Sequence, residues 1–285
     1  MKTVGILIPV ANEARTIKEF TSCLLQECSR LDQYKFQVFY IMDSYSKDRT
    51  QEILETDFAD DVVVLFHENS TGLVSSYIYG YKHCVEQGYD YIVEMDSGFS
   101  HKPEHLKEFL DRLDAGDDAV FATRFSKDSL YEGSLFRKLV SRLGTIMANF
   151  WLKMDFSDAT SGYQAYRREV LEELEFDNFI SYGGMFQTEI KYYIYDRRTS
   201  AVESELRQFK KFPFYGQKSR QFFSRRVFGQ SSEIYRYKVS DVPIEFIMSD
   251  SSFKSSWIID AIKILLKLEK NSDRIYKQGE NNEVI

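Results

Sequence analysis

The sequence predicts an α/β fold, a mostly parallel sheet flanked by helices, and three observations carry that prediction. Short apolar runs of strand length alternate with segments of helical periodicity through the N-terminal half. Strands that alternate with helices of about 10 to 15 residues build βαβ units, which place helices on both faces of a parallel sheet. Each run also ends in small or acidic polar residues: Asn12-Glu13, Asp43-Ser44, Asp96-Ser97 and Thr123-Arg124. Any one of these pairs is an ordinary helix cap; four at one sheet edge point to a binding crevice.

Val4 to Ile8 is the first strand, ended by Pro9, and a helix from Thr16 to Arg30 sets Ile17, Phe20, Leu24 and Leu25 on one face. Phe36 to Met42 is the second strand, and Ser46 is placed to cap a helix over Lys47 to Glu55. Val62 to Phe66 is the third. After Gly72 a helix from Leu73 to Glu86 carries Tyr77, Tyr81 and Val85 on one side. Tyr89 to Met95 is the fourth strand, Pro103 to Leu113 the next helix, and Ala119 to Thr123 the fifth strand. Asp96 stands just past the fourth strand, Gly98 allows a sharp turn, and Pro103 opens the helix. Locally Asp96 reads two ways, as a helix-capping or turn residue, or as a carboxylate holding a divalent cation against a diphosphate. The chain contains neither GxGxxG after the first strand nor GxxxxGK[ST], so neither a dinucleotide fingerprint nor a P-loop is signalled.

The 285 residues, 43% hydrophobic, are enough for one large core or one core with an appendage. A net charge of -7 excludes general affinity for nucleic acid, so an anionic partner must be met by local basic patches. Cys23, Cys28 and Cys84 form no CxxC pair, which suits a reducing cytosol. No signal peptide is visible at Met1-Lys2-Thr3, and no apolar run reaches the roughly 18 residues of a spanning helix. The expectation is a cytoplasmic protein, peripheral at the inner face of a membrane.

The order of motifs resembles a family 2 glycosyltransferase of the GT-A fold, and within it the dolichyl-phosphate or polyprenyl-phosphate mannose synthase group. Ile8-Pro9-Val10-Ala11-Asn12-Glu13 is similar to the family's Ile-Pro-x-x-Asn-Glu, and Met42 to Thr50 resembles Val-Asp-Asp-Gly-Ser-x-Asp-Gly-Thr. Gly72 to Gly80 is similar to Gly-Leu-Gly-x-Ala-x-x-x-Gly, and Met95 to His105 resembles Met-Asp-Ala-Asp-Leu-Ser-His-x-Pro-Glu-His. Ala122-Thr123-Arg124-Phe125 resembles Gly-Ser-Arg-Tyr, and Ser157 to Tyr163 resembles Ser-Asp-x-Thr-Ser-Gly-Phe. Phe186-Gln187-Thr188-Glu189 and Val242 to Phe246 are similar to Phe-Gln-x-Glu and Val-Pro-Ile-x-Phe.

The resemblance implies transfer of a sugar from a nucleoside-diphosphate donor with inversion at the anomeric carbon. It implies that Pro9, Ala11, Glu13, Met42 and Ser44 line the base and ribose pocket. Asp96, Ser97, Gly98 and Ser100 would face the diphosphate and its Mg²⁺ or Mn²⁺, with Asp96 the metal carboxylate and Arg124 compensating phosphate charge. Such chemistry is sound, because a departing diphosphate gathers negative charge that a cation and an Arg stabilise. Glu13 suits two neighbouring ribose hydroxyls, since a carboxylate accepts both hydrogen bonds. Three positions depart from the family pattern. Gly98 stands in place of the second metal aspartate, Ser44 replaces the second aspartate of the earlier motif, and Gln164 stands where Arg is common. Gly98 and Ser44 motivate a rival reading, a non-catalytic nucleotide-sugar-binding protein.

On the acceptor side, Leu135 to Met154 reads as one long helix whose apolar stripe includes Leu135, Phe136, Leu139, Leu143, Ile146, Phe150 and Trp151, with Arg137, Lys138, Arg142 and Lys153 off it. The stripe is either a core face or a membrane-surface face. Asp158 follows in a loop. A sugar-hydroxyl acceptor on a glycan or glycolipid needs a general base, and Asp158 is the candidate; a polyprenyl-phosphate acceptor is already anionic, and Asp158 would then brace the Thr160-Ser161-Gly162 turn. Gln187 and Glu189 read as pocket wall. The expected organisation is a GT-A domain over residues 1–190, a basic-aromatic insertion over 195–235, a return to the domain with an amphipathic helix over 236–270, and a tail over 271–285. The insertion is expected to touch a membrane or cover a phosphate-bearing acceptor, or else to form a subdomain or an oligomer contact.

Overall fold

From Val4 onward every residue of the first strand, β1 (Lys2–Val10), is buried, and its side chains alternate between two cores. Val4, Ile6, Ile8 and Val10 join one cluster and Leu7 the other, the period of two that a strand imposes. The computed structural model describes residues 1–67, 70, 72–195, 237–247 and 259–268. The expectations for most of the 195–235 insertion and for the 271–285 tail lie outside the described residues.

β2 (Tyr34–Met42) and β3 (Val62–Phe66) stack outward from β1, and β4 (Tyr91–Glu94) pairs on the opposite side of β1. These pairings are parallel, with Ile6 of β1 opposite both Val38 and Val93. The chain therefore reverses its direction of winding between β1 and β4, and a reversal of this kind opens a crevice beyond the carboxyl ends of the two strands. Past β4 come β7 (Gln164–Arg167), β5 (Ala119–Thr123) and β8 (Val239–Pro243). β7 is antiparallel to both neighbours, and β5 and β8 are parallel. A small second sheet pairs β6 (Leu130–Glu132) with β9 (Glu245–Ile247).

Helices α1 (Ile17–Arg30), α2 (Thr50–Asp57) and α4 (Leu106–Asp114) cover one face. Helices α3 (Leu73–Glu86), α5 (Leu135–Leu152), α6 (Arg168–Glu172), α7 (residues 186–195) and α8 (residues 259–268) lie on the other. α3 packs so close that a β-carbon at Gly5 would stand 2.9 Å from Cys84 Sγ. All three cysteines are free. Ile264, Leu265 and Leu268 of α8 are buried in the second core.

Some boundaries differ from the sequence expectation, each for a local reason. The helix expected over Lys47 to Glu55 starts at Thr50, because the Lys47 amide donates to Asn12 Oδ1 (2.9 Å) and the Ser46 hydroxyl accepts the Asn12 amide (3.2 Å). Asp48, not Ser46, receives the Thr50 amide, at 3.0 Å. Pro103 opens a 3₁₀ turn (Pro103–His105) that leads into α4.

In the first core the Tyr163 ring stacks on Phe109 with centroids 4.3 Å apart, and its hydroxyl is buried with no hydrogen-bond partner among the described residues. An orphaned buried hydroxyl costs free energy that its removal returns. Tyr163→Phe is expected to raise unfolding stability by about 1 kcal/mol, read as a higher urea midpoint at unchanged slope.

Candidate active site

The loops after β1 and β2 are locked together by short polar side chains. Asn12 takes a left-handed conformation (φ 57°) that turns its amide toward the β2 loop, and its Nδ2 donates to the Tyr45 carbonyl at 3.3 Å. The Glu13 amide donates to Thr50 Oγ1 (2.8 Å) and the Ala14 amide to Asp48 Oδ2 (3.0 Å). Backbone donors that a helix start would leave unpaired are thus satisfied across the two motifs. Beside this clamp lies a cavity of about 270 Å³ lined by Met42, Asp43, Ser44, Ser46, Asp48, Gln51, Phe66 and His67. It contains Met42 and Ser44 of the expected nucleoside pocket. Pro9 is buried within β1 and Ala11 is half-buried just beyond it, so neither lines this cavity. Phe66 and His67 were missed by sequence reasoning. Their signal was available: Phe66 ends the third strand and His67 follows it, as Met42 ends the second and Asp43 follows that one.

Asp96 stands at the end of β4 with its side chain half-exposed. Its Oδ1 accepts the Tyr77 hydroxyl (2.9 Å), and its amide donates to Nδ1 of the buried His101 (2.9 Å). Accepting that amide places the His101 proton on Nε2, and burial pushes the imidazole pKa below its ordinary value. Ser97 and Gly98 are half-buried and Ser100 is buried in the same turn. Gly98 and Phe99 both lie at positive φ, 79° and 67°. A β-carbon at Gly98 would stand 3.3 Å from Glu13 Oε2. The volume in which a second metal aspartate would begin is filled by the Glu13 carboxylate, whose pKa is raised by burial and by its neighbours Asp48 and Asp96. Gly98 is therefore matched to Glu13, and an aspartate there would set two carboxylates against each other on a strained backbone.

Among the described residues no three His, Cys, Asp or Glu side chains converge as a metal cluster. Asp96 alone fits a hard cation as one oxygen ligand, because its Oδ2 accepts no hydrogen bond among the described residues and half its side chain meets solvent.

Arg124, at the end of β5, forms a fork with Asp158: Nε to Oδ2 at 2.7 Å and Nη2 to Oδ1 at 2.9 Å. Nη2 also reaches Thr160 Oγ1 (2.6 Å), and the guanidinium lies between the Phe125 and Phe246 rings. Asp158 further accepts the amides of Arg124 and Thr160 and is 1% exposed. Burial works to raise its pKa, but Arg124, with Lys191 behind it, holds the carboxyl at about 2. Lys191, fully buried, donates to the carbonyls of Asp158 and Ser161, and burial lowers its own pKa to about 8. A carboxylate so enclosed is paired on both oxygens and shut off from solvent. Arg124 likewise meets Asp158 first, with Nη1 left outside the fork.

Residues 5–175 match the family model described as Glycosyl transferase family 2. The chain belongs to that family and is a glycosyltransferase. It is 31% identical over 202 residues to the polyprenol monophosphomannose synthase of Mycolicibacterium smegmatis, covering 70% of this chain and 74% of the relative. It is 32% identical to the undecaprenyl-phosphate mannosyltransferase of Micrococcus luteus over 53% of this chain and 63% of that one. Among solved structures it resembles glucosyl-3-phosphoglycerate synthase from Mycobacterium tuberculosis, crystallised with Mn²⁺, UDP and glucosyl-3-phosphoglycerate. The TM-score is 0.56 at 14% identity, covering 94% of this chain and 80% of the other. That likeness establishes the GT-A fold.

In this glycosyltransferase α5 runs beside the Asp158 loop, tied to it by the Ala159 amide on Thr145 Oγ1 (3.2 Å) and by Asn149 Nδ2 on the Phe156 carbonyl (2.7 Å). Its apolar stripe faces outward: Leu135 and Phe150 are 83% and 80% exposed, with Phe136, Leu139, Leu143 and Ile146 also exposed. Only Thr145, Ala148 and Leu152 of the helix are buried. Of the family's other motif residues, Glu189 is buried and accepts the Ile180 and Ser181 amides, and it does not line the cavity beside Met42.

The Arg124–Asp158 pair predicts a stability effect where an exposed general base would have none. Asp158→Asn leaves Arg124 buried without its counter-charge and is expected to cost roughly 3–5 kcal/mol, measured by urea unfolding at neutral pH. The sign with pH follows from the depressed carboxyl: stabilisation is complete above about pH 4 and is lost as pH falls through the folded value of about 2.

Proposed function

We propose that this glycosyltransferase moves a sugar from a nucleoside-diphosphate donor to a polyprenyl phosphate at a membrane surface, with inversion. The observation that carries the acceptor is the outward apolar face of α5, hydrogen-bonded to the loop that holds Asp158 and Arg124. A helix of this kind, with Arg137, Lys138 and Arg142 among its residues, suits the boundary of an anionic bilayer. No described helix is long and apolar enough to cross one. The two relatives named for prenyl-phosphate mannosylation support the same acceptor class. The enclosed Asp158 supports it too, since an anionic phosphate oxygen attacks without a base.

On the donor side, the cavity beside Met42 and Ser44 takes the nucleoside, and Glu13, Ser97 and Ser100 border the path toward the diphosphate. Asp96 would hold a Mg²⁺ or Mn²⁺, which when bound stabilises the charge of the leaving diphosphate. Asp96 fixes where the diphosphate lies, Arg124 supplies positive potential beside it, and the acceptor oxygen enters from the α5 side, opposite the leaving group. Inversion follows from that single displacement. We place this work in the cytoplasm, at the inner face of the membrane.

Two measurements test the reading. Calorimetry with GDP- and UDP-sugars should show one nucleotide bound more tightly with Mn²⁺, and Asp96→Ala should lose that gain and lower transfer to undecaprenyl phosphate by about 100-fold; no binding by a folded sample would sink the donor assignment. Sedimentation with anionic vesicles should fall at least about tenfold for Leu139→Glu combined with Phe150→Glu, since burying two large side chains contributes about 3–6 kcal/mol. Unchanged sedimentation would remove α5 from the membrane.

A further inference from the structure

Beneath Asp96 lies a buried polar network that the donor and acceptor sites do not use. Tyr77, on α3, is 2% exposed, and its hydroxyl donates to Asp96 Oδ1 at 2.9 Å. Its ring is stacked on Phe186 with centroids 5.4 Å apart and planes 5° from parallel, so the phenol has little freedom to swing. Gln187, the next residue of α7, is buried. The Gln187 carboxamide is held at both ends, accepting from Gln164 and donating to Glu94. Glu94 also accepts the Tyr81 hydroxyl, and Gln164 accepts the Tyr166 hydroxyl. Gly162 leaves room for this crossing, since a β-carbon there would stand 3.2 Å from Gln187 Nε2.

We propose that Tyr77 is a positioning residue for Asp96, holding Oδ1 so that Oδ2 faces the cation and diphosphate, with the stacked Phe186 ring fixing the tyrosine in turn. The inference rests on Asp96 being the metal carboxylate. Among the described residues Tyr77 is the one side-chain hydrogen-bond donor to Asp96, and the turn that His101 closes sets the backbone beside it, with His101 Nδ1 3.7 Å from Oδ2. A half-exposed carboxylate released from Tyr77 rotates about its last bond and presents either oxygen. Outer-shell partners of this type typically change metal affinity by about 10- to 100-fold. The network also accounts for Gln164, the departure from Arg. A neutral carboxamide there links Tyr166 to Gln187 and adds no charge to the interior.

The test is a Mn²⁺ titration followed by electron paramagnetic resonance, on the full chain saturated with GDP and, separately, with UDP. Wild type, Tyr77→Phe, Phe186→Leu and Asp96→Asn are compared, and melting temperatures report folding. Tyr77→Phe is expected to weaken Mn²⁺ binding about tenfold or more while metal-free affinity for the same nucleotide stays at the wild-type value. Phe186→Leu, which removes the ring stacked on Tyr77, should move Mn²⁺ affinity in the same direction by less, and it carries the test if Tyr77→Phe does not fold. Wild-type Mn²⁺ affinity in the folded variant, or an equal loss of metal-free nucleotide affinity, would overturn the proposal and leave Tyr77 a packing residue. Absence of Mn²⁺ binding by wild type with either nucleotide would instead remove the metal at Asp96, and this role for Tyr77 with it.

Discussion

The buried ion pair between Arg124 and Asp158 is the interaction on which the acceptor half depends. It ties the end of β5 to the loop that precedes β7, and through Thr160 it sets the turn that brings Gly162 under Gln187. α5 is fastened to the same loop by Thr145, and α7 by Lys191. Phe246, just beyond β8, closes over the guanidinium, so the last strand pair is recruited as well. Two charges removed from water are costly unless geometry and hydrogen bonds are nearly complete. Here they are: both carboxylate oxygens are engaged, and four of the pair's contacts involve backbone amides or the Thr160 hydroxyl. An unpaired charge at this place would disorder several elements together.

The donor half is held differently. Its loops carry Asn12, Ser46, Asp48 and Thr50, short side chains that pair with backbone amides across the crevice. Such contacts fix the backbone while leaving the pocket open, which suits a site that must admit and release a nucleotide. Glu13 and Gly98 belong to this half, and their fit shows why the missing aspartate need not signal lost activity.

Much of the fold was legible because parallel strands buried on both faces read as continuous apolar runs, as Val4 to Ile8 and Ala119 to Thr123 do. β7 was not, since Gln164-Ala165-Tyr166-Arg167 is short and lies inside a motif read for its turn. It runs antiparallel because the Asp158 loop that feeds it sits at the carboxyl end of β5, so the chain enters β7 from that end of the sheet. Asp43, Ser44 and Asp96 were found from strand ends. The partner of Asp158 was not, because Arg124 lies 34 residues away and only tertiary structure joins them. The direction of the α5 stripe was equally hidden: periodicity shows that a helix has an apolar side and is silent on what that side faces.

That outward stripe and the buried charges beside it answer to one physical problem. A prenyl-phosphate acceptor joins a tail that leaves water to a headgroup that does not, so a protein receiving it needs an apolar surface within reach of fixed positive charge. α5 places Leu139 and Phe150 outside and Thr145 inside, against the loop that anchors Arg124. An Arg exposed on such a helix would be screened by water and salt. Packed against Phe125 and Phe246, Arg124 is instead held out of water with Asp158 balancing its charge. The same arrangement denies Asp158 the freedom a general base requires. With the proposed acceptor, whose phosphate is already anionic, that freedom is not needed.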